Sequence, residues 1–184
     1  MFKKILIANR GEIACRVIRT AKRMGIRTVA VHSTADSNAL HVQMADEALH
    51  IGGSAPSDSY LSMDNIIEAA KKSNSEAIHP GYGFLSENPE FSQLCVTNKI
   101  VFIGPPTTAI KIMGSKSFAK TEMEKAGVPI LPGHHSTNQN PSFLKKSAKK
   151  IGFPVLIKAV SGGGGKGMRQ VQSEAEFDGA LVAT

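Results

Sequence analysis

The run KAVSGGGGKGM at 158–168 carries the most concentrated chemistry in this 184-residue sequence. Glycines let backbone N–H groups approach phosphate oxygens closely, and a neighbouring lysine supplies compensating charge. The run is not a Walker A loop, because that pattern requires Gly where Val160 stands and Ser or Thr where Gly167 stands. Nor is it a dinucleotide fingerprint: it follows one predicted strand and leads into another, leaving no helix N-terminus for a pyrophosphate. A strand, glycine loop, strand arrangement suits a flap that closes over a triphosphate; the competing reading is a surface hairpin without a ligand. Lys158 favours the first. It interrupts the apolar stretch 155–160, where an unpaired ammonium is costly to bury, so it requires a ligand's phosphate or a protein carboxylate unless it snorkels to an edge. Lys116, in MGSK, is a second cation, by itself an ordinary helical lysine.

The second constellation is HPGYGFLSEN at 79–88. Its proline and two glycines specify a tight irregular loop after a predicted strand, and open α/β sheets place ligands at the carboxyl ends of their strands. Tyr82, Glu87 and Asn88 are the side chains able to contact one; equally, His79 and Glu87 could serve only the loop's own backbone. The loop ANRGE at 8–12 sits where a dinucleotide-binding protein carries GxGxxG, yet it has the single Gly11, which disfavours that role. Arg10 and Glu12 are expected to pair and hold this loop. Cys15 and Cys95 stand far apart with no CxxC and no Cys/His cluster, so neither a zinc site nor a disulfide framework is expected.

These loops need a frame. KILIA at 4–8 and TVAVH at 28–32 are short apolar runs without alternation, as in strands covered on both faces of a parallel sheet. Between them, 12–24 reads as a helix with Ile13, Val17, Ala21 and Met24 at helical spacing and Gly25 as its C-terminal cap. Helices at 64–72 and 89–97 alternate with strands at 76–79 and 100–103, which predicts the α/β class with an open, Rossmann-like parallel sheet. Pro105 and Pro106 punctuate the chain, and domains are expected at 1–113 and 114–184. The stretch 107–126 reads as a long helix interrupted at Gly114 and ended at Gly127. From Val128 the pattern is a short strand, a polar loop, a basic helix at 142–151, a strand at 154–160, the glycine run and a strand at 168–172. Ser173 and Glu176 then open a further helix in capping-box spacing.

Composition narrows the function classes. With 41% hydrophobic and 20% charged residues, the chain reads as a soluble globular protein of one or two domains. The start, MFKKILIANRG, has too short an apolar stretch for a signal peptide or a membrane span, so no membrane partner is expected. A balance of 22 Lys+Arg against 15 Asp+Glu, net +7, favours anionic ligands. Nucleic acid is disfavoured: there is no Trp, there are two Tyr, and no basic run is interleaved with aromatics.

KILIANRGEIACRVIR near the start, HPGYGFLSEN in the middle and IKAVSGGGGKGM near the end, in that order and spacing, resemble the biotin carboxylase family across essentially the whole chain. Within it, IMGSKSFAK and IKAVSGGGGKGM resemble most the biotin-containing subunit of methylcrotonoyl-CoA carboxylase and its acyl-CoA carboxylase relatives. The resemblance implies a preATP-grasp domain over 1–113 followed by the start of an ATP-grasp domain over 114–184, whose glycine loop closes on ATP. By position, Lys116 and Lys158 match the family's nucleotide-contacting lysines, and Gly164, Gly165 and Met168 its loop contacts to ATP. Tyr82 matches a residue beside the biotin and bicarbonate pocket. Arg19 lies on a helix that helps form a dimer interface in bacterial relatives, whereas Arg23 departs from the acidic residue some of them carry there.

The reaction so implied uses ATP with Mg2+ or Mn2+ to phosphorylate bicarbonate to carboxyphosphate, which delivers carbon dioxide to a deprotonated biotin nitrogen. Positive charge from lysines and metal offsets the charge that develops on the phosphoryl group. The family's acidic metal ligands, catalytic base and biotin-orienting arginine are expected beyond Thr184, so no catalytic or metal-ligating residue is assigned within the chain, which alone is expected to be inactive. Implied partners are a biotin carboxyl carrier domain, a carboxyltransferase subunit and a second copy of the chain through its N-terminal domain. The implied location is the bacterial cytoplasm or, if processed, the mitochondrial matrix. Pyruvate, urea and carbamoyl-phosphate relatives share the glycine loop, and a non-catalytic nucleotide-binding or dimerising module is the non-enzymatic alternative.

Overall fold

The two apolar runs near the start of the chain become the central strands of a five-stranded parallel sheet. Its strands are β1 (Lys4–Ile7), β2 (Arg27–His32), β3 (Glu47–His50), β4 (Ala77–His79) and β5 (Val101–Phe102), in the order β3-β2-β1-β4-β5. The computed structural model describes residues 1–134, 138–159 and 167–184, apart from the side chains of Lys116 and Ser117, and divides into units at Met1–Gly114 and Ser115–Thr184.

Pleating explains why β1 lacks alternation. Successive side chains point to opposite faces, and both faces are covered. Leu6 and Ala8 enter a core with Ile66, Ile67 and Ala70 of α3 (Met63–Lys72) and Phe91 and Cys95 of α4 (Pro89–Thr97). Ile5 and Ile7 turn the other way, onto Ala14, Ile18 and Ala21 of α1 (Gly11–Arg23). The helix buries a stripe of Ala14, Cys15, Ile18 and Ala21, so the expected face through Met24 is out of phase, and Met24 is 51% exposed. Ile13 and Val17 flank this stripe, half-buried. Gly25, at φ +73, ends the helix as expected.

A further short helix, α2 (Leu40–Met44), precedes β3. Strand β3 was not evident in the sequence because EALH is a half-exposed edge strand. Its start is tied to the sheet by Glu47, which accepts from Lys4 of β1 and Arg27 of β2, both at 2.8 Å. The helical stretch 107–126 is interrupted as expected beside Gly114: it forms two helices, α5 (Thr107–Gly114) and α6 (Lys116–Lys125), broken at Ser115. The strand expected from Val128 is absent: residues 128–134 carry no regular structure.

In the second unit, β6 (Val155–Lys158) and β7 (Met168–Val171) form an antiparallel hairpin. One face packs on α7 (Pro141–Ile151) and α8 (Glu174–Val182), around Ala148, Val171 and Phe177 with Leu144, Val155 and Ile157. At the start of α8, Glu176 accepts from Gln172 N at 3.2 Å and from Ser173 Oγ at 3.4 Å, a displaced form of the expected box. No described helix is long and apolar enough to cross a membrane.

Candidate functional site

The strand order reverses between β1 and β4: from β1 the chain runs outward through β2 and β3, then returns to β4 on the other side. In open α/β sheets the crevice at the carboxyl ends of such a strand pair is the ligand position. Both singled-out loops of the first unit leave the sheet there. Ala8 N donates to His79 O at 2.9 Å, so the two segments remain paired as the strands end.

The next residue fastens one loop to the other. Asn9 is 3% exposed. Its Nδ2 donates to Pro80 O and to Tyr82 O, both at 2.8 Å, while its Oδ1 accepts from Arg10 N at 2.9 Å. Between the two clasped carbonyls lies Gly81 at φ +67, and a Cβ there would stand 2.7 Å from Asn9 Nδ2. Glycine is required on both counts, positive φ and close approach. Gly81 N donates to His79 Nδ1 at 3.0 Å, which puts the imidazole proton of a neutral His79 on Nε2. Burial holds the His79 pKa below its ordinary value, favouring that neutral ring.

Asn88 is occupied by the chain itself: it caps α4, accepting from Phe91 N at 2.9 Å. Tyr82, by contrast, is 70% exposed, and Glu87 is exposed as well. Of the three residues able to contact a ligand, Tyr82 and Glu87 remain open to one.

Arg10 does not pair with Glu12, as the sequence suggested. Glu12 is exposed in the first turn of α1, whereas Arg10 Nη1 lies 3.1 Å from Asp36 Oδ2. The guanidinium also sits 5.4 Å from the ring centre of Tyr60 and 5.8 Å from that of Phe84, two rings stacked at 5.2 Å. Asp36 Oδ2 further accepts from Ser33 Oγ at 2.9 Å and from Tyr60 Oη at 2.8 Å. Burial by itself would raise the Asp36 carboxyl, but these hydrogen bonds and the charge of Arg10 bring it below its ordinary value. The Tyr60 hydroxyl, buried and beside that carboxylate, is pushed up to about 12. The network joins the loops after β1, β2 and β4 at one end of the sheet. Nothing local in the sequence signals its links from Asp36 to Arg10 and Tyr60, which span 26 and 24 residues.

In the second unit, Lys158 and Met168 are cross-strand partners, as are Leu156 and Gln170. Val155 and Ile157 face the core, whereas Leu156, Lys158 and Met168 are exposed on the opposite face. Lys158 is therefore not forced into an apolar interior; the hairpin buries one face only. Beyond this rung, Ala159 N donates to Gly167 O at 2.8 Å, framing the mouth of the glycine loop. Gly164 and Gly165 lie outside the described residues, as does the side chain of Lys116, whose backbone opens α6. An apolar strip ending in a cation can take a flat apolar ring on Leu156 and Met168 and an anion at Lys158. Among the described residues no group of three or more His, Cys, Asp or Glu could hold a metal ion.

Two known families match the chain. The family described as "Biotin carboxylase, N-terminal domain" matches residues 1–110, and "Carbamoyl-phosphate synthase L chain, ATP binding domain" matches residues 115–184. The chain is 62% identical over 181 residues to the mitochondrial methylcrotonoyl-CoA carboxylase subunit alpha of Dictyostelium discoideum, covering 98% of this chain and 26% of that protein. It is 57% identical over 176 residues to the biotin carboxylase of a Nostoc species, covering 96% and 39%. A structure of Campylobacter jejuni biotin carboxylase in a complex with a β,γ-ATP compound superposes at a TM-score of 0.92 with 47% identity, covering all of this chain and 41% of that one. The Hydrogenobacter thermophilus 2-oxoglutarate carboxylase biotin carboxylase domain, a dimer with MgADP, ADP and bicarbonate, gives 0.88 with 49% identity, covering 98% and 40%. The chain thus spans between about a quarter and two-fifths of these relatives. The sheet with its reversal between β1 and β4, the glycine hairpin that follows, and the family match over residues 1–110 lead to one assignment: the chain belongs to the biotin carboxylase family.

Proposed function

We propose that this chain supplies the N-terminal region of an ATP-dependent biotin carboxylase serving an acyl-CoA carboxylase of the methylcrotonoyl-CoA carboxylase kind. The observation that carries the reading is the hairpin, where Lys158 faces Met168 at the mouth of the glycine loop on an exposed face. In this reading Lys158, Lys116, Met168 and the amides of Gly164 and Gly165 bind ATP, and Tyr82 borders the biotin and bicarbonate pocket. A preATP-grasp domain over 1–113 and the start of an ATP-grasp domain over 114–184 carry these two sets of residues.

The chemistry assigned to these residues is binding and charge compensation. The γ-phosphoryl group passes from ATP to a bicarbonate oxygen, with ADP as the leaving group; carboxyphosphate then splits into phosphate and carbon dioxide, and a biotin nitrogen whose proton a base has taken adds to the carbon dioxide. Lysine ammonium groups and loop amides lower the energy of the charge that builds on the phosphoryl oxygens during the first step. Mg2+ accompanies ADP in the H. thermophilus complex, but the described residues offer no ligand set for it, so no step is assigned to a metal here. A biotin carrier domain, a carboxyltransferase subunit and a second copy of the chain are the proposed partners. The bacterial cytoplasm or the mitochondrial matrix is the proposed location, supported by the sources of the relatives. The test is phosphate release by the assembled carboxylase containing this chain, with and without bicarbonate and free biotin. Release that ignores bicarbonate would sink the reading.

A further inference from the structure

We propose that Asn9 is a positioning residue for Tyr82, setting how that ring is presented at the carboxyl ends of β1 and β4. The inference rests on the reading of Tyr82 as a neighbour of the biotin pocket. Tyr82 is 70% exposed, so little of its side chain is fixed by packing and its aim follows from the backbone that bears it. That backbone is held at Tyr82 O and, two residues earlier, at Pro80 O, by the two donors of one amide. The amide is itself anchored by contacts: Asn9 is buried, its oxygen accepts from Arg10 N, and it directly follows the pairing of Ala8 with His79. On the far side of Tyr82 the loop is pinned at Phe84, stacked on Tyr60 and covered by Arg10.

No other side chain of similar size does this work. Aspartate has the shape of asparagine but would aim a second acceptor at two carbonyls, and alanine leaves both carbonyls unpaired. Gly81 completes the contact, since any Cβ there collides with the Asn9 amide. A clasp that served stability alone would lower the melting temperature without favouring one substrate over another. One that positions Tyr82 should act on the biotin step selectively and through Tyr82.

The test is a double-mutant cycle on Asn9→Ala and Tyr82→Ala in the assembled carboxylase, with free biotin as the varied substrate and then ATP. Loss of the clasp's hydrogen bonds predicts a rise of about tenfold in KM for biotin and a change under about twofold in KM for ATP. In the Tyr82→Ala background, Asn9→Ala should add nothing further. Asn9→Asp should be at least as severe as Asn9→Ala. If Asn9→Ala fails to fold, Gly81→Ala attacks the same contact from the loop side and should show the same selectivity. Additive effects in the cycle, or an unchanged KM for biotin in Asn9→Ala, overturn the positioning role while leaving the reading of Tyr82 intact. An unchanged KM for biotin in Tyr82→Ala removes that reading and this proposal with it.

Discussion

Arg10 Nη1 and Asp36 Oδ2 lie 3.1 Å apart across 26 residues of sequence, joining the loop after β1 to the loop after β2. Asp36 also receives hydroxyl donors from Ser33 and Tyr60 on the same oxygen. Asp36→Ala strands these donors and should cost about 2 kcal/mol, whereas Asp36→Asn keeps an acceptor for the hydroxyls and should cost less. Urea unfolding at neutral pH measures both. Equal losses would mean that the hydroxyl donors contribute nothing.

Two glycines with positive φ should respond very differently to alanine. Gly52 sits at φ +138, and a Cβ there would fall 1.9 Å from the Asp58 carbonyl oxygen, backbone that cannot step aside cheaply. Gly11 sits at φ +63 with open space around it. Gly52→Ala should cost at least about 3 kcal/mol, and Gly11→Ala about 1 kcal/mol from the left-handed conformation alone. Comparable melting temperatures for the two variants would contradict the geometry.

The chemically conspicuous loops were legible in the sequence because their information is local. The glycine run and HPGYGF are each read within a few residues, whereas Asn88, read there as able to contact a ligand, caps α4. Asn9 and Arg10 were not legible in their roles, because sheet order brings them to partners at Pro80, Tyr82 and Asp36. The expected pairing of Arg10 with Glu12 failed for the same reason: a distant carboxylate already surrounded by donors outcompetes a near one pointing to solvent. Strand β3 escaped because an edge strand with one covered face has no apolar run to read. Lys158 was singled out for a buried setting that it does not have, since it is exposed on the hairpin. An apolar run with a lysine looks the same in sequence whether the hairpin is covered on one face or on two.

Acidification should weaken the first unit in two stages. His41, fully buried in α2, and His79 both have pKa values held below the ordinary 6.5, first of all by burial. The unfolded chain therefore binds more protons than the folded one below pH 6.5, so this stability is intact above 6.5 and is lost as pH falls through the lowered folded values. Asp36 and Asp46, both lowered, extend the loss below 3.8. Unfolding midpoints compared at about pH 7.5 and about pH 5.5 should converge in a His41→Gln, His79→Gln double variant. An unchanged pH dependence in that variant would assign the effect elsewhere.

Lys158 should separate nucleotide binding from folding. Its side chain lies on the exposed face of the hairpin, opposite Met168, while the core around Val171 and Phe177 is built from the other face. Removing an exposed ammonium leaves no cavity and no unpaired buried group, so Lys158→Ala should shift stability by less than about 0.5 kcal/mol. ATP presents several negative oxygens, and a charge-assisted contact to one of them contributes roughly tenfold or more in affinity. Leu156→Ser on the same face removes apolar surface but no charge, and should weaken ATP less, with a smaller dependence on salt. Calorimetric titration of ATP into the assembled carboxylase, beside a thermal melt of each variant, reads both quantities. ATP affinity unchanged in Lys158→Ala, with the fold intact, would show that the exposed face of the hairpin is not where the triphosphate binds.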